Sequence, residues 1–305
     1  MGPAQVTAAH GGTWKLGDLV VNRIGFGSMR LAQTGRALMA DAVPRDRDTA
    51  IAVLRRAIEL GVNHIDTAAF YFSPLRSANE LINSALAPYP DDLVIATKVG
   101  PGRDPSGQWV PAARPDQLRG QVEENLRQLG REHLDLVNLR VMSSMTSIAD
   151  HIGALAELCK AGLIRHLGVS GVNPQMLAEA RAVAPVVCVQ NRYGIGEARA
   201  EHAFADACGQ QGIAFVPYFT IAGDGRGAGV TGTENVDVVA VARAHGATAA
   251  QVRLAWALQR GPHVLVIPGT GNPDHLAANL AAGVLRLTPD EMTRLTAVRS
   301  AKNER

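Results

Sequence analysis

"LDLVNLRVM", residues 134–142, decides how the chain is read. Six of its nine residues are apolar, enough for a buried strand, yet it delivers Arg140 near its end. A guanidinium carries its charge at any physiological pH, and burying it without a partner is strongly unfavourable. Arg140 therefore either pairs with a carboxylate at the strand end or lines a cleft. This stretch alone leaves both readings open.

Short apolar runs of the same kind recur along the chain: "RIGFG", "HIDTA", "LVIATKV", "HLGVS", "VVCVQ", "IAFVPY" and "VLVIPG". With 134–142 they make eight. Between them lie helical patterns such as "RDRDTAIAVLRRAIELG", "PDQLRGQVEENLRQLG", "ADHIGALAELCKAG" and "AFADACGQQG". A half-solvated strand would show period-two polarity, so eight nearly continuous apolar strands alternating with helices predict parallel pairing with both faces covered. The expected fold is α/β, a closed (β/α)8 TIM barrel. Upstream, "TWKLGDLVVNRIGFGSM" turns at Gly17-Asp18 and predicts an N-terminal β-hairpin. Residues 1–12 are expected to be a flexible tail and 13–305 a single domain.

The composition narrows the function. Of 305 residues, 47% are hydrophobic and 4% aromatic, which suits a large aliphatic core. The formal net charge is +2, with both signs interspersed and no basic stripe, so neither a nucleic-acid surface nor a membrane surface is expected and the partners should be small molecules. Three widely spaced cysteines without a CxxC, the lack of a signal-like start and the lack of a long apolar run point to the cytoplasm. The oligomeric state is left open.

In such barrels the C-terminal strand ends carry the chemistry. The polar residues there are Asp66, Lys98, Arg140, Ser170, Gln190, Asn191, Tyr218 and Thr270 in chain order. Asp66 and Lys98 should ion-pair across adjacent strands. Tyr71 lies on the loop that leaves the second strand, and a nearby ammonium is expected to lower its pKa and suit it to proton transfer. The glycine-rich "FTIAGDGRGAGVTGTENV" after the seventh strand reads as a mobile loop over the site.

Taken together, "HIDTAAFY", "ATK", "GVS", "VQNRY" and "VIPGT…HLAANL" resemble the aldo-keto reductases from about Leu16 to about Val298, and most closely the bacterial pyridoxal reductase branch. The resemblance implies NADPH-dependent reduction of an aldehyde or ketone, pyridoxal to pyridoxine included, with NADH as the other possible cofactor. It assigns Tyr71 as general acid, Lys98 and Asp66 as its tuners, and Ser170 and Gln190 as contacts of the nicotinamide carboxamide. Tyr218 would stack on the nicotinamide ring, and Thr270, His275 and Asn279 would lie near the adenosine end. Arg140 stands where the family usually has histidine, and it would offer a fixed charge and a fork of donors to the substrate oxygen.

The chain departs from the family at Gly171, where an asparagine is usual after the serine, and at Gly269, which often carries a phosphate-clamping lysine. Thr270, His275 and Arg226 would then serve the phosphate. Other readings compete with carbonyl reduction: a Schiff-base lysine at Lys98, a tailoring reductase of a biosynthetic pathway, and a nicotinamide-binding regulatory subunit without turnover. No metal is expected, with His64 and His166 read as packed strand residues.

Overall fold

In the computed structural model, described over residues 5–35, 38–39, 41–221 and 234–298, seven parallel strands are hydrogen-bonded in sequence order. They are Phe26–Gly27, His64–Asp66, Val94–Val99, Leu134–Arg140, Ile164–Ser170, Cys188–Gln190 and Ala214–Phe215. The eighth run is too short and irregular to form a ladder but closes the ring through single bridges, Phe215 to Val264 and Ile24 to Val266. Leu265 N–H donates to Phe215 O at 2.9 Å on one side, and Gly25 N–H donates to Val266 O at 2.9 Å on the other. The barrel expected from the eight apolar runs is the fold observed.

Closure at the mouth depends on two glycines. A Cβ on Gly27 would lie 2.6 Å from Ile267 O, and one on Gly269 would lie 2.4 Å from Gly27 O. The first and eighth strand ends approach so closely that neither position has room for a side chain.

Ten α-helices are described, and their starts follow the capping rules. Asp46 caps α1 (Arg47–Glu59) by accepting from Thr49 N at 2.8 Å, and Asn173 caps α5 (Pro174–Val183), which has proline in its first turn. The quoted helical patterns correspond to α1, α3 (Leu118–Leu129), α4 (Ala149–Lys160) and α6 (Arg199–Gln210). Apolar side chains between strands and helices form the main core, including Leu54, Ile82, Val122, Leu155 and Trp256.

The predicted hairpin pairs Thr13–Leu16 with Leu19–Asn22. Its Leu16 and Val21 cluster with Val94, Leu136, Cys188 and Leu265 and so stopper the end of the barrel opposite the mouth. Asp18 at its turn bonds Arg165 and His166, each at 2.6 Å. The expected flexible tail is corrected in its second half: Ala8–Gly11 form a 3-10 turn, with Ala8 buried and its N–H bonded to Leu60 O at 2.9 Å. Residues 1–4 lie outside the described residues.

Gly269→Ala should destabilise the fold by about 1–3 kcal/mol, because the new methyl group has to displace backbone rather than a flexible side chain. Urea unfolding monitored by circular dichroism checks this, and a stability equal to the parent's would show that the two strand ends can part freely.

Candidate active site

The parallel register carries the strand-end side chains to one mouth. Arg140 pairs with Ser170, Ser170 with Gln190, and Gly27 with Asp66. There they line a cavity of about 500 Å³ together with Tyr71, Lys98 and Tyr218. Seven of the ten expected site residues thus meet in one place. The other three do not line it. Thr270 is buried in the turn after the eighth run, where its Oγ1 accepts from Asn272 N at 3.0 Å. Asn279 is buried on α9 (Pro273–Ala281), and His275 is exposed on the same helix.

Lys98 and Asp66 form the centre. Lys98 Nζ donates to Asp66 Oδ1 at 2.6 Å and to Thr67 O at 3.0 Å, and both side chains are 6% exposed. Burial disfavours the ammonium, but Asp66 and Tyr71 beside it outweigh that penalty and hold its pKa above the ordinary lysine value. Between the two strands and the helices behind them, Thr67 Oγ1 donates to Asn79 Oδ1 at 2.7 Å and Thr97 Oγ1 to Asn125 Oδ1 at 2.6 Å. The threonine next to each charged residue therefore anchors its strand from the outside while the charge faces inward.

Tyr71 lies against this pair, with Lys98 Nζ 4.9 Å from its ring centroid. One expectation is reversed here. Burial pushes the Tyr71 phenol above its ordinary pKa, and Lys98 only opposes that rise. At neutral pH the phenol is protonated, which is the form that donates. Phe70 packs edge-on against Tyr71 at 5.1 Å and Trp109 against Phe70 at 5.7 Å, giving the cavity an aromatic wall.

Arg140 does not pair with a carboxylate among the described residues. Its Nη1 donates to Tyr218 Oη at 3.0 Å and lies 3.4 Å from Ser170 Oγ, and its Cζ sits 5.1 Å from the Tyr218 ring centroid. The guanidinium faces the cavity and keeps donors free for a ligand. Gly171 explains how it fits: a Cβ there would come within 2.5 Å of Arg140 Nη1. The two departures from the family pattern, arginine at 140 and glycine at 171, are thus one steric arrangement. Asn191 secures the same strand end by accepting from Gly171 N and Val172 N at 2.9 and 3.1 Å.

Gln190 is only half committed. Its Nε2 donates to Asp66 Oδ2 at 2.7 Å, while its Oε1 is buried without a partner. A buried orphan acceptor at a cavity wall is what an incoming amide N–H would satisfy, so the residues fit a nicotinamide carboxamide. Residues 219–221 of the glycine-rich loop line the cavity. Residues 222–233, including Arg226, lie outside the described residues, as do Arg36 and Ala40 of the long segment after the first strand.

Sequence reasoning missed the aromatic wall and the hairpin Gly102–Arg103/Trp109–Val110 that supplies part of it. The signal was present, since "DPSG" at 104–107 combines turn-forming residues between the two short strands.

Comparison with known proteins agrees with this geometry. The Aldo/keto reductase family profile matches residues 23–300. The chain belongs to that family. It is 44% identical over 292 residues to pyridoxine 4-dehydrogenase of Escherichia coli strain K12, covering 94% of this chain and 98% of the relative. The crystal structure of a thermostable aldo-keto reductase bound to the inhibitor epalrestat superposes with a TM-score of 0.76 at 28% identity, covering 93% and 98% of the two chains. An aldo/keto reductase from Klebsiella pneumoniae, solved with NADP and acetate, gives 0.70 at 25% identity and 90% of both chains. The protein is accordingly a nicotinamide-dependent oxidoreductase acting on small carbonyl compounds. Among the described residues no helix is long and apolar enough to cross a membrane.

Lys98→Met should lower stability by about 3–5 kcal/mol, because Asp66 is left buried without its counter-ion. Adding Asp66→Asn should recover much of that loss. The raised pKa values of Lys98 and Tyr71 mean that the native state holds protons which the unfolded chain releases, so their contribution is complete below pH of about 10 and declines above it. The parent should therefore lose stability in alkali more steeply than the double variant, as denaturant midpoints taken between neutral and alkaline pH will show.

Proposed function

We propose that the chain reduces the aldehyde of pyridoxal or a closely similar hydroxylated heteroaromatic compound with NADPH, using Tyr71 as proton donor. The observation that carries this reading is the buried Asp66–Lys98 pair set against a protonated Tyr71 at the cavity wall.

When bound, reduced nicotinamide supplies the hydride. The proposed residues divide the remaining work. Tyr71 Oη gives its proton to the carbonyl oxygen as charge builds there. Lys98 stabilises the phenolate left behind, and Asp66 keeps Lys98 charged and oriented while Gln190 Nε2 occupies the second carboxylate oxygen. The Gln190 Oε1 and Ser170 Oγ positions would receive the carboxamide, and Tyr218 would present its ring to the nicotinamide. Thr270, His275 and Asn279 would hold the adenosine end, outside the cavity proper.

Arg140 is the distinctive element. Its fork of donors suits a substrate with two neighbouring oxygens. Pyridoxal has such a pair, an aldehyde beside a ring hydroxyl, and the 44% identical relative is a pyridoxine 4-dehydrogenase. The wall of Phe70 and Trp109 suits a flat ring.

Tyr71→Phe should lose ~10²-fold or more in pyridoxal reduction while binding NADPH as the parent does, since only the proton is removed. Nicotinamide fluorescence titrated with both cofactors should give tighter binding of NADPH than of NADH, and equal dissociation constants would remove the NADPH preference from the proposal. Arg140→Ala should cost about 2–4 kcal/mol of transition-state stabilisation with cofactor affinity nearly intact, the scale of losing one oxyanion donor. Arg140→His should recover part of that rate. A large fall in melting temperature with normal single-turnover chemistry in Arg140→Ala would assign the residue to the fold instead.

A further inference from the structure

Arg103 lies outside every motif considered so far, on the short hairpin that follows the third strand. Among the described residues its guanidinium makes four hydrogen bonds, all to backbone carbonyls: Nη1 donates to Phe72 O at 2.7 Å and to Phe70 O at 3.4 Å, Nη2 to Met39 O at 3.2 Å, and Nε to Gly107 O at 3.0 Å. These carbonyls belong to the loops after the first, second and third strands. Burial lowers the pKa of the guanidinium, but an arginine stays charged throughout the working pH range, and its planar fork can serve several acceptors at once. The guanidinium also lies over the Phe72 ring, 4.4 Å from its centroid.

The two carbonyls on Nη1 flank Tyr71. The other bonds of that residue's backbone stay within its own loop, Tyr71 N to Ala68 O at 3.0 Å and Ala78 N to Tyr71 O at 2.9 Å. They shape the loop without fixing where it sits over the barrel. Packing behind the loop is incomplete, because Phe70, Phe72, Lys98 and Arg103 border a second cavity of about 470 Å³. Besides Arg103, the loop is tied to its neighbours by Ser73 Oγ donating to Ala32 O at 2.9 Å on one side of Tyr71 and by Thr67 N donating to Ala96 O at 2.8 Å near its start, both away from the two carbonyls that flank Tyr71.

We propose that Arg103 is a positioning residue for the proton donor, holding the Tyr71 hydroxyl in reach of the substrate oxygen by gripping the carbonyls on either side of it. The proposal rests on the reading of Tyr71 as donor. Proton transfer is steeply sensitive to donor placement, so a loop shift of an ångström slows the chemical step without touching the surface that binds cofactor. The position of Lys98 is set separately by Asp66 and Thr67 O, so the proton relay stays charged while its last member drifts.

The test compares Arg103→Met, Arg103→Lys and Tyr71→Phe with the parent, using pyridoxal and 4-nitrobenzaldehyde with NADPH. In Arg103→Met, kcat should fall about tenfold or more for both aldehydes, the NADPH dissociation constant should stay within about twofold, and the solvent deuterium isotope effect on kcat should rise as proton transfer becomes limiting. Arg103→Lys, with one ammonium for four carbonyls, should lie between the two, and it decides the matter if the methionine variant does not fold. Combined with Tyr71→Phe, either substitution should add no further loss. Parent-like kcat in the lysine and methionine variants would overturn the proposal, as would a loss carried by cofactor affinity or a further tenfold loss on the Tyr71→Phe background. Parent-like turnover of Tyr71→Phe itself would overturn the donor assignment underneath it.

Discussion

The ion pair between Lys98 and Asp66 is the constraint around which the site is organised. Two opposite charges buried at 2.6 Å are stable only if their remaining valences are met, and here Thr67 O and the Gln190 amide meet them. Meeting them requires the second, third and sixth strands to end level with one another. The barrel register provides that alignment, and the outward threonines tied to Asn79 and Asn125 keep the second and third strands from slipping. The pair also sets the electrostatics of everything placed beside it. Burial favours the protonated phenol of Tyr71, and Asp66 and Tyr71 favour the charged form of Lys98.

Most of the fold could be read from the chain because strands covered on both faces leave an unambiguous apolar trace. Arg140, Lys98 and Asp66 stood out because each interrupts such a trace at its end. The eighth run was legible for the same reason, although it is too short and irregular to join its neighbours by more than single bridges. Other features escaped for stated reasons. The Ala8–Gly11 turn is too short and too small to show periodicity, and it docks only because Leu60 and Ile24 offer it a surface. The direction of the Tyr71 shift depends on burial, a tertiary quantity that sequence spacing does not carry. Arg103 bonds only to backbone carbonyls, which have no sequence signature at all.

The site divides chemically into a centre of fixed charge on the strand ends and a rim made from loops. The centre sits on strands, where geometry is stiff. The rim contains the aromatic wall, the hairpin that bears Arg103 and Trp109, and Phe219, whose backbone adopts a positive φ of 62° that an aromatic residue rarely accepts. Such a conformation is held by its surroundings. The barrel architecture generally lets loops vary around a fixed set of strand ends.

The space that Gly171 leaves open is the space beside which the Arg140 guanidinium rests. A Cβ at 171 would lie 2.5 Å from Arg140 Nη1, so any residue larger than glycine there requires the guanidinium to shift. Gly171 also has a φ of 76°, a left-handed backbone state that glycine adopts without strain, so the same residue meets both the backbone demand and the steric demand of the neighbouring guanidinium.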